Sequence, residues 1–217
     1  MRGLILNEAT AEILIYGVIG DPWGDGVMAR DVRDALKQVG QRDVNVRIHS
    51  PGGSVFEASA IHTYLTEWKH QVSVSVDGLA ASAASVVAMA GHTVKMAATS
   101  RMMIHDPWTL SMGNAAALRK DADLLDKIRD QIAEVYAKRA GGTAAQFQEL
   151  MAKETWLTPE EAISLGLADE ITGQASVENR YDLSAFKNAP KVWPQPKADA
   201  GTPRRTAMRQ RLATAEI

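Results

Sequence analysis

Two residues in this chain could perform nucleophilic chemistry together, Ser82 and His105. Ser82 lies in the stretch Val72 to Gly91, VSVSVDGLAASAASVVAMAG. Val72, Val74 and Val76 alternate with Ser73 and Ser75, and a period of two in β-branched residues predicts a strand. Asp77-Gly78 is expected to break it, and a small-residue helix from about Ala81 to Ala90 follows, closed by Gly91. Ser82 then falls in the first helical turn, where backbone N–H groups lack partners and the helix dipole favours negative charge. A hydroxyl held there can act as a nucleophile, with a neighbouring amide beside the oxyanion that forms. Ala80, Ala81, Ala83 and Ala84 leave room for a substrate backbone. The plain alternative is that Ser82 only caps a helix, a role serine fills often.

His105 closes the run Arg101-Met102-Met103-Ile104-His105, which Asp106-Pro107 stops. A lone histidine at a strand end is commonly just a half-exposed polar residue. As a base it needs the hydroxyl within hydrogen-bond reach and a group to orient its ring. His49, His62, His70 and His92 are the other imidazoles.

The elements that must position this pair read as β-α-β units. Glu12 to Gly20 holds a buried-strand pattern, and Asp21 to Gly26 is a loop rich in turn formers. Val27 to Val39 reads as a helix, with Val32, Leu36 and Val39 on one face. Val44 to Ile48 alternates as a strand and ends at Ser50-Pro51-Gly52-Gly53, and Val55 to Trp68 is helical. Thr93 to Met96 and Arg101 to His105 are short strands. Alternation of this kind predicts a largely parallel sheet with helical crossovers. Ligands of such sheets sit beyond the carboxyl ends of strands, so the Gly52-Gly53 and Gly78 corners can face one cleft.

Ala115 to Arg139 reads as a long helix whose apolar seam is Leu118, Ala122, Leu125, Ile128, Ile132 and Val135; its length suits subunit contacts. Its charged side, including Arg119, Lys120, Asp123, Lys127, Arg129 and Asp130, reads as solvated. Thr143 caps a short helix to Met151. Thr158, Pro159 and Glu161 form a helix-start signal, with Thr158 as the cap, and that helix ends at Gly166. Ala168 to Ile171 leads into a last short strand. From about Asn188 prolines and basic residues dominate, and this tail is read as flexible.

Composition narrows the function. The chain has 217 residues, 46% hydrophobic, with a net charge of −2. A sequence pI of about 6.2 argues against a nucleic-acid partner, leaving only the basic tail for an acidic one. With no cysteine, thiolate catalysis, disulfides and cysteine metal sites are excluded. No metal or cofactor site is expected. No apolar run is long enough for a signal peptide or a membrane span, so a cytoplasmic protein is expected.

Three segments resemble the Clp protease proteolytic-subunit family, within the ClpP/crotonase superfold. They are His49-Ser50-Pro51-Gly52-Gly53, Gly78-Leu79-Ala80-Ala81-Ser82 and Arg101-Met102-Met103-Ile104-His105-Asp106-Pro107. They occur in family order, and the similarity runs from about Glu12 to Ile171. The resemblance implies an α/β fold of repeated β-α-β units with a long protruding helix for oligomerisation. It implies a peptidase domain over 1–175 and a C-terminal extension over 176–217. It makes Ser82 the nucleophile and His105 the general base, with Gly53 and Ala83 donating oxyanion-hole amides. Where the family places an aspartate, this chain has Glu154, before Trp156-Leu157-Thr158; Asp106 is the fallback, although its neighbour His105 would point to the opposite face of a strand.

The nearest likeness within the family is to the head-maturation proteases of tailed phages. The Asp21 to Gly26 loop, the Ser-Pro-Gly-Gly-Ser-Val-Phe corner and the segment Glu154 to Ala162 carry it. The implied partners are polypeptides, capsid or scaffold proteins, and further copies of the chain in a ring, as a heptamer or a stacked double ring. About ten residues precede the first predicted strand, which argues against docking of a Clp ATPase. Three readings compete: a housekeeping subunit fed by an ATPase, a crotonase-type acyl-CoA enzyme, and a non-catalytic ring.

Overall fold

The structure is a computed structural model that describes residues 4–7, 9–20, 26–173 and 181–191. The elements in chain order are β1 (Leu4–Asn7), β2 (Glu12–Tyr16), α1 (Ala29–Val39), β3 (Val44–Ser50), α2 (Val55–Thr66), β4 (Val72–Ala81) and α3 (Ala83–Ala88). They continue with β5 (Thr93–Ala97), β6 (Arg101–Ile104), α4 (Ala115–Ala140), α5 (Ala144–Ala152), β7 (Thr155–Leu157), α6 (Pro159–Ser164) and β8 (Glu170–Thr172). The expected loop Asp21 to Gly26 lies outside the described residues except at Gly26, and so does the basic tail beyond Lys191.

The sheet has eight strands in the order β1-β2-β3-β4-β5-β8, with β6 pairing β4 and β7. Pairing along β2-β3-β4-β5-β8, and of β4 with β6, is parallel, as the β-α-β pattern predicts. Two strands that the sequence pattern did not disclose, β1 and β7, pair antiparallel. Alternation sets the faces: Val72, Val74 and Val76 are buried against the helices while Ser73 and Ser75 are half-exposed. Among the described residues no helix is long and apolar enough to cross a membrane.

The central strand departs from expectation at Asp77-Gly78. β4 does not end there but runs on to Ala81. The dipeptide marks an irregularity instead: Ile48 pairs Val76, yet Ser50 pairs Ala80, so the register slips between them. Asp77 is satisfied in place, accepting bonds from Arg47 Nε at 2.8 Å, Arg47 Nη2 at 2.6 Å and Tyr16 Oη at 2.5 Å. A carboxylate with that many donors has no need of a turn to reach water. The extra length lets β4 fork. Its first half pairs β5, and Leu79 to Ala81 pair Arg101 to Met103 of β6.

α4 spans 26 residues. Its buried residues are Ile128, Ile132, Ala133, Tyr136 and Ala137, all in the second half. The first half projects from the body, with Leu118 44% and Leu124 48% exposed. The expected apolar seam is therefore split, packing at home only from Ile128 onward. Asn114 and Thr143 cap α4 and α5 through their side chains, and Thr158 forms the expected capping box with Glu161.

Candidate active site

Ser82 sits on the corner between β4 and α3, not inside the first turn of a helix as its sequence context predicts. It is the residue before α3, with φ 55° and ψ −127°, a combination that side chains other than glycine avoid. Three contacts hold the corner in that conformation. Ser82 N donates to Met103 O at 2.9 Å. Ser82 O accepts from Ser85 N at 2.9 Å and from Ser85 Oγ at 2.6 Å. Ser85 Oγ in turn pairs with the fully buried Tyr136 Oη at 2.8 Å, tying α4 to the corner.

The β4–β6 register explains how two residues distant in sequence meet. Ala81 pairs Met103; Ser82 comes just after the end of β4, and His105 just after the end of β6 at Ile104. His105 Nε2 lies 2.7 Å from Ser82 Oγ. For a neutral ring to accept that hydroxyl proton, its own proton must sit on Nδ1. Burial holds the imidazole below its ordinary titration range, while Glu154 and Asp106 pull the other way. A neutral base beside a hydroxyl can take its proton at neutral pH.

Gly52 and Gly53 follow the end of β3. Ile19 N donates to Gly52 O and Ser54 N donates to Ile19 O, each at 2.8 Å. Gly52 has φ 95° and Gly53 φ 142°, conformations that favour glycine. A Cβ on Gly52 would lie 2.6 Å from Ala81 O and 2.8 Å from Ser82 Cβ, so the corner rests directly on the serine. Among the described residues, neither the Gly53 amide nor the Ala83 amide donates a hydrogen bond to a protein acceptor. The Ala83 amide follows the serine directly, and the Gly53 amide follows the glycine that rests on it.

Glu154 lies near His105 but spends its hydrogen bonds elsewhere. Its carboxylate accepts from Asn188 N at 2.6 Å, Lys187 N at 2.8 Å and Trp156 Nε1 at 3.1 Å. Burial works to raise its pKa, and these donors outweigh it, holding the carboxyl below its usual range as an anion. No hydrogen bond joins it to His105 among the described residues, so it acts on the imidazole through space. Asp106 faces a separate depression with Arg129, Gln148 and Glu149. Its Oδ1 is buried without a hydrogen bond, and burial raises its pKa.

The structure thus brings Ser82 and His105 into contact, with Ala83 next in the chain, the Gly52-Gly53 corner resting on the serine through Gly52, and Glu154 close enough to act on the imidazole. Sequence reasoning missed Ser85 and Tyr136, whose hydroxyls carry no motif. It also missed Tyr181, Leu183 and Phe186, which pack against a small core cluster of Leu79, Ala81 and Met103. Apolar residues spaced two and three apart just upstream of the basic tail were the available signal.

Residues 9–175 match the family model described as Clp protease. A Streptomyces coelicolor protein named ATP-dependent Clp protease proteolytic subunit 2 is 33% identical, over 64% of this chain and 65% of its own length. The chain thus spans just under two thirds of that relative. The ATP-dependent Clp protease proteolytic subunit of Deinococcus radiodurans is 32% identical, over 64% of this chain and 69% of its own length. Among solved structures, a ClpP1 point mutant from Listeria monocytogenes superposes with a TM-score of 0.66 at 26% identity, covering 80% of this chain and 94% of that one. With a family match over most of its length and a mixed α/β architecture shared with that structure, the chain belongs to the Clp protease family of serine peptidases.

Proposed function

We propose that this chain is a serine endopeptidase acting through Ser82 and His105. The observation that carries the reading is the 2.7 Å contact between His105 Nε2 and Ser82 Oγ, at a strained corner with two free amides beside it. Nε2 takes the hydroxyl proton as Oγ attacks the scissile carbonyl carbon. The carbonyl oxygen becomes an oxyanion between the Gly53 and Ala83 amides. The imidazolium, stabilised by the Glu154 anion, then protonates the leaving amine, and an acyl-enzyme remains on Ser82. Water, deprotonated by the same imidazole, releases the acid and restores the serine. A crotonase-type acyl-CoA reaction gives this serine–histidine contact no role, and a mere helix cap leaves the free amides unexplained.

The pH profile follows from His105. Its neutral form is the active one, and burial depresses its pKa. The acid limb of kcat/KM is therefore expected below the ordinary histidine value of about 6.5. Activity is retained as pH falls through 6.5 and is lost only below that. A peptide-hydrolysis profile from pH 4 to 9, on the order of ten points, would check this; a limb well above 6.5 would contradict it.

We also propose that the substrates are capsid or scaffold proteins cut during phage head maturation, by a ring of copies in the cytoplasm. The Ser50 to Phe56 corner and the Glu154 to Ala162 segment support this reading by their likeness to that subgroup. The projecting half of α4, with Leu118 and Leu124 exposed, supports contacts between copies. The relatives named as ATP-dependent Clp protease proteolytic subunits favour a second reading, a proteolytic subunit working with an ATPase. Incubating the purified chain with an unprocessed major capsid precursor, with and without a Clp ATPase and ATP, separates the two. Defined cleavage without ATP supports head maturation, and cleavage only with the ATPase supports the alternative.

A further inference from the structure

Residues 181–191 lie at the edge of the catalytic constellation, beyond the family match that ends at 175. Phe186 sets its ring edge-on to His105 at 5.5 Å between centroids, and to Trp156 at 5.9 Å. Lys187 N and Asn188 N hold the two carboxylate oxygens of Glu154. Asn188 Nδ2 donates to Lys153 O at 2.8 Å, clamping the backbone on which Glu154 adopts φ 49°. At the other end Tyr181 Oη donates to His49 O at 2.7 Å, one residue before the Ser50 to Gly53 corner. The segment therefore spans from the oxyanion corner to the acid. It packs on Leu79, Ala81 and Met103, the two strand ends that carry Ser82 and His105.

We infer that residues 181–188 are a positioning strap of the active site, in which the Lys187 and Asn188 amides fix Glu154 and Phe186 closes the outer face of His105. The inference rests on the serine-peptidase reading. Glutamate has one more rotatable bond than aspartate, so an unheld carboxylate would sample several positions around the imidazole. Two backbone N–H donors restrict it to one and keep it ionised. Phe186 excludes water from the ring, which strengthens every charge interaction there. The Ser82–His105 contact stands at 2.7 Å with the strap in place.

Two full-length variants test this. Lys187→Pro with Asn188→Pro removes both amide donors, since proline has no N–H. Phe186→Ala uncovers His105 and keeps the backbone. Both are followed by the rate of Ser82 acylation with a fluorophosphonate and by NMR titration of the His105 imidazole. The double proline variant is expected to be acylated about tenfold to a hundredfold more slowly, the usual cost of a loosened catalytic group. In Phe186→Ala the His105 pKa should rise toward the ordinary value as burial is relieved. Glu154→Gln should move it the opposite way, because the anion that favours the imidazolium is gone. Unchanged rates and titrations in both strap variants would overturn the strap, as would faster acylation, which would make the segment an obstruction. An unlabelled wild-type Ser82 would instead overturn the peptidase reading itself, at a step independent of the strap variants.

Discussion

Ser82→Ala is expected to lower kcat/KM for peptide hydrolysis by roughly 10⁴ to 10⁶, the range seen when a serine nucleophile is removed. The loss should be almost entirely in kcat, because the hydroxyl contributes little to holding the ground state. The fold should survive, since the contacts that hold the corner use Ser82 N and O, which alanine retains. His105→Ala should cost a comparable factor, and the double variant little more than either single one. Groups that act as one unit are not additive, so a product of the two single losses would indicate that they do not work together. Measuring all three variants beside their thermal unfolding separates lost chemistry from lost structure.

Gly53→Ala is expected to remove about 10² to 10³ in kcat, the typical cost of losing one oxyanion donor, although the side chain added is only a methyl group. The reason is steric. A Cβ at this position would overlap the Ile19 carbonyl oxygen, and that carbonyl is pinned by Ser54 N. The backbone must shift, and the Gly53 amide shifts with it. At φ 142° an alanine is strained whatever the space, so a stability loss of about 1–3 kcal/mol should accompany the kinetic one. Since Ser82 and His105 are untouched, the acid limb of the pH profile should keep its position. A variant with wild-type kcat would remove Gly53 from the reaction.

The legible and illegible parts of this chain differ for physical reasons. The β2-to-β5 units could be read because their residues alternate or recur on one helix face, and burial follows that pattern. Ser82, His105 and the Gly52-Gly53 corner were legible as residue types whose chemistry is narrow. Their contact was implied by the family resemblance alone, because it depends on the Ala81–Met103 register, which no local pattern encodes. The continuation of β4 through Asp77-Gly78 was hidden for a related reason. Asp77 is satisfied by Arg47 and Tyr16 from other strands, so tertiary contacts override a local turn signal. β7 was hidden by length: three residues, Thr155–Leu157, cannot display a period. The partners of Glu154 were hidden most completely, since backbone amides donate from any residue type.

Treating the purified chain with a fluorophosphonate and locating the adduct by mass spectrometry, with His105→Ala in parallel, decides whether Ser82 is a nucleophile activated by His105. A single adduct on Ser82 that disappears in the histidine variant is the predicted result. An adduct elsewhere, or none on the folded protein, would contradict that activation and leave Ser82 as a residue at the start of a helix.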